Sequence, residues 1–297
     1  MSTASPLLDR RTAALGRPKT KTRGRRKRLR NAALYALAIA ITVLMLLPFA
    51  WMLSASLKLN REVFEFPIQW IPAAPRWQNY LDIWQQIPLA LFIYNTAKLT
   101  IIVTVLQLFT SSFAAYAFAK LRFPYRNTLF LAYIATIAMP WQVYMVPQFV
   151  LMRELGLNNT HLALILLQAF SAFGVFLMRQ FYMSIPDELC EAARIDGMSE
   201  YQIWRKIMLP LSMPALSTLT IFTFVNTWND FLGPMIYLTK TELKTVQIGL
   251  RMFVSQYSAE YGLIMAASVV SLVPVLVVFL ALQRFFVEGV ASTGLKG

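Results

Sequence analysis

Residues 31–57 read NAALYALAIAITVLMLLPFAWMLSASL, a run without one charged side chain. A helix needs about 20 such residues to cross the hydrocarbon core of a bilayer, so this segment is long enough to span. The stretch before it is its opposite. Arg10, Arg11, Arg17, Lys19, Lys21, Arg23, Arg25, Arg26, Lys27, Arg28 and Arg30 face one acid, Asp9, and supply most of the chain's net charge of +14. A basic segment ahead of a first span is a topology signal that keeps its side cytoplasmic. A cleaved secretion signal also starts with charge followed by apolar residues, but its apolar run is about 7–15 residues. This longer run is expected to remain as an anchor.

Five further uncharged runs follow, at 99–119, 127–152, 161–178, 207–229 and 261–283. The second is expected to begin near Leu91, with Lys98 snorkelling at its outer end, and the fifth to continue to about Leu238, past Asp230. Six spans place both termini on one side. With the N-terminus inside, the inner segments hold the basic tail, then Lys120, Arg122 and Arg126, then Arg179, Arg194, Arg205 and Lys206. That bias favours N-in and C-in. Trp51, Trp70, Trp77, Trp84 and Trp228 lie near the outer ends, where indole prefers the interface. Pro48, Pro140, Pro147, Pro214 and Pro274 are expected to kink the spans, each removing a backbone hydrogen bond that lipid cannot replace.

Composition agrees with a membrane protein. Of 297 residues, 57% are hydrophobic and 14% charged, against about 45–50% and about 25% in soluble domains. The single cysteine, Cys190, and single histidine, His161, leave no internal disulfide and no Cys/His zinc cluster. The sequence contains no Gly-x-x-x-x-Gly-Lys, no Gly-x-Gly-x-x-Gly and no His-Glu-x-x-His. Ionisable residues inside the membrane usually mark ion or proton pathways, yet the candidates are only Lys98 and Asp230, near span ends. A proton pump or ion-coupled transporter is disfavoured, and energy for uphill transport would have to enter from a partner.

The informative loop lies between the fourth and fifth spans. Its core, residues 191–210, reads EAARIDGMSEYQIWRKIMLP. Pro186, Asp187 and Glu188 suit a helix N-terminus, Pro at the first turn and acids at the positive dipole end. Gly197 is expected to stop that helix in a left-handed cap. Ser199 with Gln202 reads as a capping box that starts a second helix, and Pro210 as the turn into the next span. Ile203, Trp204, Ile207 and Met208 form an apolar face expected to pack within the chain.

Here the sequence resembles the inner-membrane permease subunits of binding-protein-dependent ABC importers. Their signature is Glu-Ala-Ala, three residues, Gly, nine residues, Ile, one residue, Leu-Pro, and Glu191, Ala192, Ala193, Gly197, Ile207, Leu209 and Pro210 match it without a gap. Residues 115–124 (AYAFAKLRFP), 155–160 (LGLNNT), 227–232 (TWNDFL) and 294–297 (GLKG) are similar to the carbohydrate-uptake branch, and within it to the maltose-type second permease. The resemblance covers roughly residues 31–297, and the long basic tail departs from it.

It implies an all-α integral membrane protein with six transmembrane helices, N-in and C-in, in the type I (MetI-like) importer-permease fold. Residues 1–30 would be a basic cytoplasmic tail, 31–285 the permease domain with a coupling loop at 184–210, and 286–297 a cytoplasmic C-terminal tail running to an ATPase interface. The location would be the prokaryotic plasma membrane. Partners would be a second homologous permease, two ATP-binding cassette ATPases and an extracytoplasmic solute-binding protein, with no nucleic acid expected. ATP and Mg would be bound by the ATPases, leaving this chain without a cofactor, a metal or a catalytic residue. Met139, Trp141, Gln142, Tyr144, Asn226, Asn229 and Asp230 are candidates for the substrate path, with aromatics for sugar rings and amides for hydroxyls. A sugar or oligosaccharide is the expected cargo. A related polyol or glycerol phosphate is the alternative, and a membrane-anchored nucleic-acid-binding protein is the rival from another class.

Overall fold

The computed structural model describes residues 21–254 and 260–294, with side chains over 28–254 and 260–285. Most of the expected basic tail, at 1–20, and the last three residues lie outside the described residues. The chain divides into two units, Met1–Trp51 and Met52–Gly297. The architecture is all-α. The first unit is dominated by α1 (Lys21–Ser56), which carries Pro48 within an unbroken helix. From Arg28 to Ala50 its side chains are exposed, as expected of an apolar helix whose natural solvent is lipid.

In the second unit α2 (Asn79–Gln86) precedes the long α3 (Leu89–Lys120). Next come α4 (Arg126–Ala135), α5 (Trp141–Glu154), α6 (His161–Gln168) and α7 (Ala172–Ser184). Two short helices, α8 (Glu188–Ile195) and α9 (Glu200–Ile203), lead through a π-helical turn (Trp204–Met208) and α10 (Leu209–Leu211) into α11 (Met213–Trp228). The chain continues with α12 (Leu232–Tyr237), α13 (Val246–Met252) and α14 (Tyr261–Gly294). The last helix extends beyond the expected end of the sixth span and through most of the expected C-terminal tail.

At 1.5 Å per residue α3 is about 48 Å long, and it is the axis of this unit. α7 and α11 pack along it, and α14 packs on α11. The core follows the same line. Ile83, Phe92, Val246 and Ala266 are buried together at the start of α3, Leu99 with Leu164 and Tyr237 further along, and Tyr116 with Met178, Trp204 and Met208 at its end. Small residues allow close approach where lipid supplies no hydrophobic drive. Gly174 of α7 lies directly against the Ser111 side chain of α3, with no room for a Cβ.

Among the described residues four helical segments are long and apolar enough to cross a membrane: Arg28–Ser56, Leu89–Lys120, His161–Ser184 and Tyr261–Phe285. Two bent pairs bring the number to six if each pair is one crossing: Arg126–Ala138 with Trp141–Glu154, bent by 99°, and Glu200–Leu211 with Met213–Trp228, bent by 80°. The expected third and fifth spans are thus not straight. Pro140 has no N–H and disfavours helix at the residue before it, and Met139 accordingly adopts extended backbone. Pro214 stands in the first turn of α11, just past the other bend. Pro48, Pro147 and Pro274 sit inside helices that continue through them. The fifth run also breaks between α11 and α12, before its expected end near Leu238.

Candidate functional site

The loop between α7 and α11 is built by local rules. α8 begins at Glu188, with Asp187 at the N-cap position, so Pro186 precedes the helix instead of occupying its first turn. Its C-terminus follows the expectation. Gly197 has φ +78°; its N–H donates to the Arg194 carbonyl at 3.0 Å, and that of Met198 to the Ala193 carbonyl at 3.0 Å. This pair of bonds is the Schellman motif, which satisfies carbonyls the helix end leaves open. The capping box also forms: Gln202 N–H donates to Ser199 Oγ at 3.4 Å, and Ser199 N–H to Gln202 Oε1 at 2.9 Å.

The second helix then widens. Over Trp204–Met208 it is π-helical, with the Leu209 N–H donating to the Trp204 carbonyl. The wide turn brings Ile203, Trp204 and Met208 into the core, while Ile207 is half-buried and Arg205 and Lys206 remain exposed. The Trp204 ring stands edge-on to Phe109 and Phe113 of α3, with centroids 5.7 and 5.3 Å away. The chain turns toward α11 at Ser212, two residues after Pro210.

Three polar contacts tie this loop to α3. Lys120, at the helix end, donates to the Ile185 carbonyl at 2.6 Å and to Asp187 Oδ1 at 2.5 Å. Tyr116 Oη donates to Glu200 Oε2 at 2.5 Å. Arg194 Nε donates to Glu200 Oε1 at 2.7 Å, joining α8 to α9. The Lys120 ammonium holds the Asp187 carboxyl below the usual carboxylate range, first through its hydrogen bond and then through its charge. The Arg194 guanidinium does the same for Glu200. Burial pushes the Cys190 thiol up. A cavity of about 560 Å³ opens between the α3 end and the loop, lined by Arg122, Arg126, Glu191 and Arg194 among others.

The signature residues do not all face one way. Glu191, Ala192 and Gly197 are exposed, Ile207 and Leu209 half-buried and Pro210 exposed. Ala193 is 4% exposed and belongs to the chain's own core. Of the two signature alanines, only Ala192 lies on the outer face of α8. The structure adds Leu189 and Ile195, which are 45% and 86% exposed. With Ala192 they recur every third residue along one side of α8. The 189, 192, 195 spacing beside the inward-facing 190 and 193 could have found that second apolar face.

The remaining candidates fall into two groups. Met139, Gln142 and Tyr144 are exposed around the α4–α5 bend, while Trp141 is half-buried and donates to Gln148 Oε1 at 2.8 Å. Asn226, Asn229 and Asp230 gather at the end of α11. Asn229 accepts a bond from Gln247 at 3.1 Å, and Asp230 accepts from Gln168 Nε2 at 2.8 Å and from the Gly233 N–H at 3.1 Å. Among the described residues no group of three or more His, Cys, Asp or Glu could hold a metal ion.

Residues 107–292 match the family model described as "Binding-protein-dependent transport system inner membrane component". The chain is 39% identical over 203 residues to the arabinooligosaccharides transport system permease protein AraQ of Halalkalibacterium halodurans, covering 68% of this chain and 73% of that protein. It is 34% identical to the sn-glycerol-3-phosphate transport system permease protein UgpE of Yersinia enterocolitica, over 84% of this chain and 92% of the relative. The fold is similar to a chain in the crystal structure of a bacterial ABC transporter involved in the import of the acidic polysaccharide alginate. The TM-score is 0.77 at 25% identity, covering 88% of this chain and 98% of that one.

Proposed function

Because the chain belongs to the family of binding-protein-dependent transport system inner-membrane components, we propose that it is the permease subunit of an ATP-driven sugar or oligosaccharide importer. In this reading there are six spans with both termini inside: Arg126–Ala138 with Trp141–Glu154 is one bent crossing, and Met213–Trp228 is another, entered from the loop. Residues 1–30 form the basic tail, 31–285 the permease and 286–297 the C-terminal tail. The pathway lies between this chain and a second, homologous permease, and a solute-binding protein delivers the cargo from outside. ATP and Mg are bound by two separate ATPase subunits; this chain is no enzyme and holds no cofactor.

The observation that carries this reading is the loop at 184–210. A short helix presents Leu189, Ala192, Ile195 and Glu191 outward, while Tyr116, Lys120 and Trp204 anchor its base on α3. An apolar patch on a braced helix is suited to a partner's cleft and to transmitting its movement. Closure of the ATPases then drives rocking between two packings of near-equal energy, which nucleotide and loaded binding protein bias differently. The relatives support a carbohydrate cargo: one is named for arabino-oligosaccharides. Glycerol phosphate stands as a second reading, since another relative is named for sn-glycerol 3-phosphate at comparable identity.

Affinity purification of the tagged chain from native membranes, with mass spectrometry of what stays bound, tests this directly. Recovery of a second permease, a P-loop ATPase and a solute-binding protein is expected. Reproducible recovery of the chain alone, in a detergent that preserves other importers, would refute it.

A further inference from the structure

The α6–α7 segment is long and apolar enough to cross as one span, yet its helix is interrupted between Gln168 and Ala172. Irregular backbone at membrane depth is tolerated where it is buried in protein or lines a water-filled cavity. Here the backbone at the break is bonded by neighbouring helices and borders a cavity. Gln107 of α3 donates to the Gln168 carbonyl at 2.7 Å, and Thr110 donates to the Ala169 carbonyl at 2.8 Å. Thr223 of α11 donates in turn to Gln107 Oε1 at 2.9 Å, and the Gln168 amide donates to Asp230 at 2.8 Å. A cavity of about 380 Å³ opens beside this chain of bonds, within the range of about 300–1,000 Å³ typical of small-molecule sites.

The walls of the cavity define its chemistry. Phe173 and Phe222 meet edge-to-face, with centroids 5.6 Å apart, and both are exposed. Their free surfaces offer apolar faces to the C–H side of a sugar ring. Asn226 is exposed, and Gln107, Thr223, Asn226 and Asp230 all line the space. They supply amide, hydroxyl and carboxylate groups for hydroxyls. No lysine, arginine or histidine is among the lining residues. An anion entering it would lose water and gain no counter-charge.

We infer that this cavity is a passage site for one uncharged sugar ring, and that the importer discriminates against phosphorylated, sulfonated and uronate cargo at this point. The inference rests on the importer reading and adds the ligand class. Asn226 and the Phe173–Phe222 pair are its contact residues. Asp230 and Gln107 are already committed to the helix break and hold the walls in place.

The test compares a strain lacking this chain with strains complemented by wild type, Asn226→Leu or Phe222→Ala. Uptake is measured with two panels: uncharged lactose, arabino-oligosaccharides and maltodextrins, and anionic sn-glycerol 3-phosphate and oligouronates. Deletion should abolish uptake of at least one uncharged compound and spare every anionic one. Asn226→Leu should lower uptake of that compound at subsaturating concentration by about fivefold to tenfold, the loss of one hydrogen bond, with amounts of assembled complex unchanged. Phe222→Ala should lower it at least as much. Loss confined to the anionic panel overturns the ligand class while leaving the importer standing, and wild-type uptake in Asn226→Leu and Phe222→Ala overturns the site. Deletion without effect on either panel overturns the sugar-importer reading itself.

Discussion

Glu200 Oε1 accepts the Arg194 Nε–H at 2.7 Å, closing the Gly197 turn with a side-chain clasp between α8 and α9. The same carboxylate takes the Tyr116 hydroxyl of α3 on its other oxygen, so both loop helices and the span beneath share one acceptor. The clasp itself is partly exposed, at 36% for Arg194 and 43% for Glu200, and such pairs contribute about 0.2–1 kcal/mol. Its importance is therefore geometric. Glu200→Ala should assemble and melt within a few degrees of wild type while losing most uptake per ATP hydrolysed. Parallel assays of uptake and ATPase activity in proteoliposomes check this, and Glu200→Gln, which keeps one acceptor, should recover part of the loss. Equal falls in both activities would assign Glu200 to assembly instead.

The acidic contacts also set a pH dependence. Asp187 and Glu200 titrate below their ordinary values of about 3.9 and 4.3, held there chiefly by Lys120 and Arg194. A depressed carboxylate contributes stability that is fully present above its unfolded value and is lost as pH falls through the lowered one. Protection of the loop backbone should thus be flat from neutral pH to about 5 and should decline only below about pH 4. Hydrogen exchange over residues 187–203 measures it. The Lys120→Met variant should begin to lose protection at higher pH than wild type, because its Asp187 no longer has the ammonium beside it.

At Gly197 the cost of a side chain is purely conformational. An added Cβ meets nothing within 4 Å, but φ is +78°. Left-handed backbone costs an L-residue about 1–2 kcal/mol, less for asparagine, whose side chain bonds locally. Gly197→Asn should be mildest, Gly197→Ala and Gly197→Asp intermediate, and Gly197→Val worst, in both thermal midpoint and coupling ratio. A ranking by side-chain volume instead would point to a partner surface pressed against the turn.

Of these three predictions only the one at Gly197 rests on a feature legible in the sequence because it is local; the Lys120–Asp187 and Tyr116–Glu200 contacts join residues far apart in the chain. Gly197, Ser199 and Gln202 occupy fixed offsets whose capping geometry depends on a few neighbouring residues, and the structure forms them as read. The long apolar runs were equally legible, since bilayer thickness sets one length scale. Tertiary effects were not. In the run at 161–178 only Ser171, which caps α7 by accepting the Gly174 N–H, marks the break after Gln168 locally; the groups that stabilise the break, Gln107 and Thr110, lie about sixty residues earlier. Pro147 and Pro214 look alike in sequence, yet one stays inside α5 and the other stands beside a bend. Ala192 and Ala193 are chemically identical, and only the packing of α8 on the core decides which faces outward.

Trp204 shows what the π-helical turn achieves. It is 4% exposed and wedged against Phe109 and Phe113, so truncation leaves a large cavity under the loop. Trp204→Ala should cost about 3–5 kcal/mol and lower the amount of protein in the membrane. Trp204→Phe retains an aromatic edge contact and should cost less. Equilibrium unfolding in mixed micelles separates the two; a Trp204→Ala loss below about 1 kcal/mol would mean that the loop is not anchored by this ring.

Gln107 is the most demanding position, since its side chain satisfies the interrupted span. Its amide donates to the Gln168 carbonyl while its oxygen accepts from Thr223, so Gln107→Leu strands two groups in an interior that replaces them poorly. Each such group costs about 1–3 kcal/mol. Gln107→Leu should therefore destabilise the protein by about 2–5 kcal/mol in mixed micelles, although leucine suits a membrane helix better than glutamine does. Thr223→Val removes only the donor to Gln107 and should cost less. In a double variant the second change should add little, because the Thr223 bond is already absent once Gln107 is gone. If Gln107→Leu proved neutral, water in the adjoining cavity would have to be serving the Gln168 carbonyl, and the helix break would be a hydrated feature of the pathway wall.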